Sequence, residues 1–480
     1  MCHRSLWSRL SNGFRAATVG LTVTLSGAAG SDLPPLVEAA KNSDRSALRA
    51  LLKPALGPGA DVNAAQGDGT TALHWASYRD DVESADVLIH AGANVNAAND
   101  LGVTPLWTAC QNGSAAMVRR LLEAGANPNA KLVSGETLVM TATHSGNADV
   151  VEQLLAKGAE VNAKASRGQT ALMWAAAQQH WAVVKVLLAH GASVHARSDV
   201  WSQLWQTGPE QDIHPDYHVQ IQHGGNTPLM FAARAGDLAS AKLLVAAGAD
   251  VNDAASYGVS ATVLGAHSGN GELVEFLLAK GADPNAAGAG YTALHAAILR
   301  GNRKAVAVLL AHGADPNVQL RASTPVRRAS QDFFFHPAFA GATPFWLAAR
   351  FSQPGVMRLL AKHGADPLFV HNVSYWGERS SSSEYVRETP GPATALMAAV
   401  GMGHGSGFRA PEPGEREALT LEAVKLAVEL GVNVNSADAH GRTALEAATA
   451  LRYKAVVEFL VARGAKLDRP GPPEARRKEQ

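Results

Sequence analysis

A segment of about 33 residues recurs along this chain of 480 residues, and such a chain folds as a stack of similar units. A Gly followed two positions later by Thr opens the segment at Gly69, Gly102, Gly135 and Gly168. The pattern, with Ser in place of Thr in one copy, resumes at Gly225, Gly258, Gly290, Gly341, Thr394 and Gly441. The spacing therefore predicts ten copies, and residues 34–64 form a degenerate eleventh that caps the N-terminus.

Each copy carries the signals of two helices. Thr at the N-cap accepts a hydrogen bond from a first-turn amide, and Pro105, Pro228 and Pro344 take the first helical position, where a missing N–H costs nothing. Gly then ends the first helix, and a second helix such as "AAMVRRLLEAG" is apolar on one face. The Asn-, Asp- and Gly-rich stretch that follows predicts a projecting turn or small β-hairpin, which we call a finger.

These motifs resemble the ankyrin repeat family, in a multi-repeat protein of bacterial type. The family's "TPLH" motif stands here as "TALH" at Thr71 and at Thr292, and as "TPLW" at Thr104. Its second motif stands as "LLEAGANPN" and "LLAHGADPN". The resemblance implies an all-α solenoid of ten to eleven helix-turn-helix repeats with projecting β-hairpin or turn loops, some of them extended by insertions. It also implies that His74 and His295 hydrogen-bond between neighbouring repeats.

One copy departs from the pattern. It reads "GVSATVLGAHSGN", with Thr262 where Leu is expected, so we expect this repeat to pack less well. The stacked architecture predicts that stability is a sum over neighbouring repeats, because one helix pair cannot bury both of its faces.

The copies are grouped by their insertions. Four copies fill residues 69–223, four more fill 225–392, and the C-terminal repeats fill 393–468 before a tail at 469–480 that we expect to be disordered. The fingers are lengthened at 199–224, 318–340 and 367–392, and a further insertion at 403–418 separates two helices of one copy.

Residues 1–30 differ from the rest. Arg4, Arg9 and Arg15 precede an apolar run that ends in small residues near Ala28, with no acid in the segment. This pattern is typical of a secretory signal peptide, although an organelle transit peptide shares its Arg-rich, acid-free start. We expect an exported protein, periplasmic or secreted, with no membrane span.

The charge balance indicates the kind of partner. The 42 basic and 42 acidic side chains cancel, with no basic run of the length that nucleic acid requires before the extreme C-terminus. We therefore expect no nucleic acid partner. The predicted function is that of a non-enzymatic, monomeric scaffold that binds another protein.

The three lengthened fingers are rich in aromatic residues, and two interpretations are open. Aromatic side chains on loops are typical anchors of protein interfaces, but a long loop also needs a small core of its own. The candidate partner contacts in these fingers are Trp201, Trp205, Phe333, Phe334, Phe335, Tyr375 and Trp376.

A second set of candidate contacts follows from the resemblance. The family binds proteins with its finger tips and with the exposed face of the first helix, which line the concave side. Each of these positions is equally compatible with an ordinary solvated residue. Projected onto this chain, they are Tyr78, Arg79, Gln111, His144, Gln178, Arg234, His267, Arg300, Arg350 and Phe351.

Catalytic and metal chemistry finds little support. His214, His218 and His223 share one loop, but their spacing without Cys matches no tight zinc signature. Cys110 takes a small-residue core position unsuited to a reactive thiolate. We therefore predict no catalytic residue, no cofactor and no metal. The alternative is a metal-dependent binding protein or enzyme built around those three histidines.

Overall fold

A computed structural model describes residues 33–53, 60–206, 218–322, 335–378, 385–402 and 413–466. Within these ranges the chain forms twenty-two α-helices and two small two-stranded sheets. The helices follow one another as eleven pairs. This arrangement confirms the predicted all-α repeat fold, with the degenerate N-terminal copy supplying the first pair.

In most pairs a first helix of seven or eight residues precedes a second helix of nine. The first six pairs are α1 Pro35–Lys41 and α2 Arg45–Leu51, α3 Ala72–Tyr78 and α4 Val82–His90, α5 Pro105–Asn112 and α6 Ala115–Glu123, α7 Leu138–Ser145 and α8 Ala148–Ala156, α9 Ala171–Ala177 and α10 Trp181–Ala189, and α11 Pro228–Ala235 and α12 Leu238–Ala246. The other five are α13 Ala261–Ser268 and α14 Gly271–Ala279, α15 Ala293–Leu299 and α16 Arg303–Ala311, α17 Pro344–Arg350 and α18 Pro354–Lys362, α19 Ala395–Ala399 and α20 Pro413–Glu429, and α21 Ala444–Ala450 and α22 Lys454–Ala462.

The first helices begin as the sequence predicts. The Thr104 hydroxyl accepts a hydrogen bond from the Trp107 N–H at 3.2 Å, and Thr343 accepts one from Trp346 at 3.4 Å. Pro105 occupies the first helical turn behind the Thr104 cap. Each cap satisfies an amide that the helix itself leaves without a partner.

The Gly that ends a first helix is required by geometry. Gly146 has φ 71° in the left-handed region, where a side chain is strained. A Cβ atom at this position would also lie 2.6 Å from the ring of His180, in the next repeat. Gly therefore lets the turn between two helices approach the neighbouring turn closely.

The second helices supply large apolar side chains to the core. In α6 the buried side chains are Met117, Val118, Leu121 and Leu122, which lie on one face of the helix. Full burial of one such side chain is worth about 2 kcal/mol. Helices α4, α6 and α8 pack on one another in series, so each repeat completes the core of the next.

Asparagine side chains fasten neighbouring repeats together. The Asn96 amide donates to the Gly125 carbonyl at 3.1 Å, and its side-chain oxygen accepts from the Asn127 N–H at 2.7 Å. We call this pair of hydrogen bonds an asparagine clamp. The clamp recurs at Asn63, Asn129, Asn162, Asn252, Asn285, Asn317 and Asn435.

Two junctions lack the clamp, since His195 and Leu368 stand where the other copies have Asn. Both of these residues precede an inserted hairpin, and other bonds close the two junctions. Ser198 exchanges hydrogen bonds with Asn226, with its backbone N–H donating at 3.1 Å and its hydroxyl accepting at 3.1 Å. At the second junction the Trp346 indole N–H donates to the Ala393 carbonyl at 2.9 Å.

The inserted fingers differ in structure. Strand β1 Trp201–Gln206 pairs with β2 His218–His223, and β3 Val370–Glu378 pairs antiparallel with β4 Tyr385–Thr394. The described part of the 318–340 insertion forms a short 3-10 turn over Pro337–Phe339 instead. In the 403–418 insertion, residues 413–418 belong to α20, so the expected loop is partly helical.

The helices divide into two compact units. Of the described residues, the first unit contains 33–201 and 224–250, and the second contains 202–223 and 251–466. The first unit therefore holds α1 to α12, and the second holds α13 to α22. Among the helices of the described ranges, none is both long and apolar enough to span a membrane.

Candidate protein-binding surfaces

The ends of the first helices in the first unit present polar and aromatic side chains to solvent. Tyr78 is 55% exposed, and Arg79, Gln111 and His144 are exposed beside the same helix ends of their repeats. The Tyr78 ring packs edge-on against Trp75 at a centroid distance of 5.8 Å. These side chains are held by local packing, so the surface is formed before any partner arrives.

A second cluster joins two neighbouring repeats of this unit. The Gln178 amide donates to His144 Nδ1 at 2.8 Å, and the His144 ring lies 4.5 Å from the ring of Trp174. The Trp174 indole N–H donates to the Gln169 side chain at 3.0 Å. His144 and Gln178 thus contact each other across the boundary between two repeats.

Sequence reasoning missed Trp75 and Trp174 as members of this surface. Both are half-buried and follow the same four-residue motif, in "TALHW" and "TALMW". The Trp75 indole N–H is fixed by Gln66 at 3.3 Å, as Trp174 is by its own Gln. The recurrence of Trp directly after this four-residue motif is the sequence signal that identifies these two side chains.

The finger tips of the first unit were also missed. Val133 is 82% exposed and Leu101 is 50% exposed. The Val133 N–H donates to the Leu101 carbonyl at 3.4 Å, so the two tips lie side by side. Exposed apolar side chains in adjacent fingers are typical of an interaction surface.

Arg234 is half-buried at the equivalent helix end of the last pair of this unit. Its guanidinium donates to the Asn226 side chain at 3.2 Å and lies 5.8 Å from the ring centre of Phe231. The structure therefore ties Arg234 to its own repeat.

The second unit carries a basic row at the same positions. His267, Arg300 and Arg350 are each half-buried at the end of a first helix, in three successive repeats. Burial, and then the charge of Arg300, lowers the pKa of His267 to about 4. Burial also lowers the pKa of Arg300 and of Arg350. The two guanidinium groups are thus partly withdrawn from water.

Phe351 departs from the expected exposure. It is only 5% exposed, and its ring packs edge-on against Phe339 at 5.7 Å. The 318–340 insertion brings Phe339 onto this helix end, which covers Phe351. A contact made by a distant insertion has no signal in the sequence next to Phe351.

The described aromatic residues of the second insertion are core residues. Phe335 is fully buried against Tyr291 at 5.6 Å and His295 at 6.2 Å. Phe339 is likewise buried and packs on Trp346 at 6.1 Å. For these side chains the structure matches the interpretation of a loop with a small core of its own, and it differs from the expectation that Phe335 contacts a partner. Phe333 and Phe334 lie outside the described residues.

The aromatic residues of the two hairpins are only partly described. Trp201 is half-buried, with the Arg167 guanidinium 4.6 Å from its ring centre. Trp205 lies in β1, and Tyr375 and Trp376 lie in β3, but their side chains are outside the described part of the chain. Their role as partner contacts stays a prediction.

Most of the candidate metal ligands lie outside the residues that the structure fully describes. His214 lies outside the described residues, only the backbone of His218 is described, and His223 is half-buried in β2. Within the described ranges no group of three or more His, Cys, Asp or Glu side chains has the arrangement of a metal site. Cys110 is buried, which raises the pKa of its thiol.

The histidine of the signature motif has a structural role. The Thr71 N–H donates to His74 Nδ1 at 3.1 Å, so the proton of the neutral ring lies on Nε2 and is donated to the Val103 carbonyl at 2.9 Å. Val103 belongs to the next repeat. His74 therefore links neighbouring repeats, as the resemblance implied.

Helix pairs that recur along the chain and stack through clamps define a repeat protein. Models of ankyrin repeats match residues 36–132, 127–198, 211–288, 229–320 and 288–371. Because these matches cover more than half of the chain, the protein belongs to the ankyrin repeat family. This membership indicates a role in protein–protein interaction.

A curated relative supports the same family. The chain is 42% identical over 85 residues to the rat (Rattus norvegicus) protein described as "Ankyrin repeat and SAM domain-containing protein 6". The match covers 17% of this chain and 10% of the relative. The similarity is thus confined to a few repeats, and it carries over nothing of the relative's remaining length.

Proposed function

We propose that this protein is a non-enzymatic, monomeric scaffold that binds a partner protein through the first-helix ends and the finger tips. The exposed row of the first unit carries the proposal. Tyr78 and His144 stand at helix ends, and Leu101 and Val133 stand at finger tips. Aromatic anchors surrounded by polar side chains are the usual composition of a protein interface.

The rigidity of the surface favours binding. Trp75, Trp174 and His144 are each held by a hydrogen bond to a neighbouring side chain. Side chains that are already ordered lose little conformational entropy on association. The fold therefore meets the ordering cost in advance, and a partner protein gains from the contacts it makes.

Affinity capture with surface variants tests this proposal. The test variant combines Tyr78→Ser with His144→Ser, and the control is Val461→Ser, because Val461 is 54% exposed on a second helix, α22. We expect the wild-type chain and the control to retain the same protein from an extract of the producing cells. The test variant should retain it about tenfold more weakly, since one aromatic anchor contributes about 1.4 kcal/mol or more. Equal capture by all three chains would contradict the proposal.

We also propose that the protein is exported, on the strength of its Arg-containing, acid-free first thirty residues. Fractionation of cells that express the full chain or a chain without residues 1–30 tests this. Loss of the exported fraction on deletion is the expected result. An unchanged compartment would remove the signal-peptide proposal and leave the binding proposal intact.

A further inference from the structure

The second unit has an unusual distribution of charge. Three successive first helices of this unit, α13, α15 and α17, and their adjoining fingers comprise residues 253–269, 286–300, 318–322 and 335–351 of the described chain. These segments contain Arg300, Arg321 and Arg350, and Asp253 is their single acidic residue. The undescribed stretch within the insertion adds Arg327, Arg328 and Asp332 to the sequence.

The equivalent segments of the first unit are mixed in charge. Asp68, Asp100 and Glu136 stand in three of its fingers, together with basic residues such as Arg79 and Lys131. The second unit contains further acidic residues: Glu272 and Glu275 lie on the second helix α14, and Asp438 and Glu446 lie in the finger and the first helix of the last repeat. The basic character therefore belongs to the first-helix face of α13, α15 and α17.

Hydrogen bonds join the helix ends of this face. Asn302 donates to the Gly269 carbonyl at 2.7 Å, and Gln353 donates to the Ile298 carbonyl at 2.8 Å, which ties together the ends of three successive first helices. A Cβ atom on Gly269 would lie 3.5 Å from the Arg300 guanidinium, so Arg300 extends across the turn of the preceding repeat. Arg350 ends the next first helix along.

Aromatic rings border this row. The half-buried Tyr291 packs edge-on against His267 at 5.7 Å, and its other neighbour is the buried Phe335. The surface therefore combines positive charge with an apolar surround. Such surroundings strengthen an ion pair with an incoming carboxylate, because they lower the local dielectric constant.

We propose that the first-helix face of the second unit binds an acidic segment of a partner protein, with Arg300 and Arg350 as the groups that hold its carboxylates. This inference rests on the proposed function and specifies the chemistry of the partner. A guanidinium group binds a carboxylate through two parallel hydrogen bonds. A face on which three Arg outnumber one Asp also attracts an acidic segment from solution and disfavours a basic one. The lowered pKa of both guanidinium groups reflects a burial cost that an incoming carboxylate offsets.

Fluorescence polarisation with short peptides tests the inference on the full chain. The probes are fluorescein-labelled decapeptides that alternate Glu with Leu or Gln with Leu. We expect the Glu peptide to bind about tenfold more tightly than the Gln peptide. Raising NaCl from about 50 mM to about 500 mM should remove most of that difference, because salt screens partly exposed charges. Equal affinity for the two peptides would overturn the inference.

Arginine variants identify the side chains that hold the peptide. The double variant Arg300→Gln/Arg350→Gln should bind the Glu peptide about tenfold more weakly, while Arg300→Lys/Arg350→Lys retains much of the affinity. Arg321→Glu provides a variant at an exposed side chain, where folding is not at risk, and should also weaken binding. Thermal melting confirms that each variant is folded. An unchanged affinity in Arg321→Glu and in a folded double Gln variant would contradict the assignment.

Two matched controls separate this face from the rest of the chain. Lys362→Gln removes an exposed charge from second helix α18 of the same unit, and Lys185→Gln removes one from second helix α10 of the first unit. Both should bind the Glu peptide as the wild type does. A loss as large as that of the double Gln variant would show non-specific attraction and overturn the proposal. Failure of the Tyr78 variant to affect capture would instead count against the proposed function alone.

Discussion

The aromatic side chains of the two units lie in different environments. In the first unit, Tyr78 is exposed and Trp75 and Trp174 are half-buried beside the first-helix ends. In the second unit, Phe335, Phe339 and the neighbouring ring of Trp346 are buried within the repeat stack. The difference shows that aromatic residues at the first-helix ends of the first unit stay partly exposed, whereas Phe335 and Phe339 attach the 318–340 insertion to the repeats.

The largest expected effect comes from removing a buried ring. Phe335→Ala should lower the free energy of unfolding by about 3–5 kcal/mol, because the cavity left between Tyr291 and His295 cannot fully close. Tyr78→Ala should change it by about 0.5 kcal/mol or less, as is usual at an exposed site. Urea unfolding followed by circular dichroism compares the two variants. Similar losses would remove the distinction between the two groups of aromatic residues.

Acid should also act on the buried core of the second unit. Burial lowers the pKa of His295 to about 4 from an ordinary value of 6.5, so the unfolded chain binds its proton first as the pH falls. The stabilisation is complete above pH 6.5 and is lost as the pH falls towards 4, by about 3 kcal/mol for this histidine. Urea unfolding at pH 7 and pH 4.5 measures the loss.

His295→Gln serves as the matched variant for the acid experiment. Glu446 occupies the same slot of a later repeat, where it accepts a hydrogen bond from the Thr443 N–H at 3.0 Å, so an amide oxygen can serve as the acceptor in place of the ring. This variant should lose less stability between pH 7 and pH 4.5 than the wild type does. An identical loss would show that His295 is not the titrating group.

A smaller difference in stability loss is expected between substitutions at a repeat junction that has an asparagine clamp and at one that lacks it. Asn129→Ala removes the bonds to the Gly158 carbonyl and from the Glu160 N–H, at 3.0 and 2.8 Å, and should cost roughly 1–2 kcal/mol. Leu368→Ala, at the equivalent position before the β3–β4 hairpin, should cost about 0.5 kcal/mol or less because Leu368 is exposed. Differential scanning calorimetry compares the melting temperatures. A larger effect at Leu368 would mean that the asparagine clamp contributes little.

The smallest expected effect is a gain in stability. Thr262 is 1% exposed, and within the described residues its hydroxyl has no hydrogen-bond partner. Thr262→Val keeps the shape and removes the unsatisfied hydroxyl, which should stabilise the chain by about 1 kcal/mol. Thermal melting would show a higher midpoint. A lower midpoint would mean that the hydroxyl group is satisfied in solution.

Much of the fold was predictable because its signals are local. Thr104 caps its helix, and Gly146 takes a left-handed conformation, as residues within one turn dictate. The clamp could also have been predicted, since Asn stands four residues after the Gly that ends the second helix in most copies, with His195 and Leu368 before the two hairpins as exceptions.

The state of the inserted aromatic residues was not predictable in this way. Phe351 is covered by Phe339 and Phe335 lies against Tyr291, through contacts between repeats that no local pattern specifies. Trp75 and Trp174 were overlooked because the projected row lay further along the same helices. Local sequence therefore specifies the repeats, and contacts between them decide which side chains remain for a partner.

Site-specific photo-crosslinking tests the central claim most directly. A photoreactive phenylalanine derivative is placed at position 78 or at position 461, which are 55% and 54% exposed. If first-helix ends of the first unit hold the partner, position 78 crosslinks to a discrete protein in the producing cells and position 461 does not. The same crosslink from both positions, or one from position 461 alone, would contradict the account.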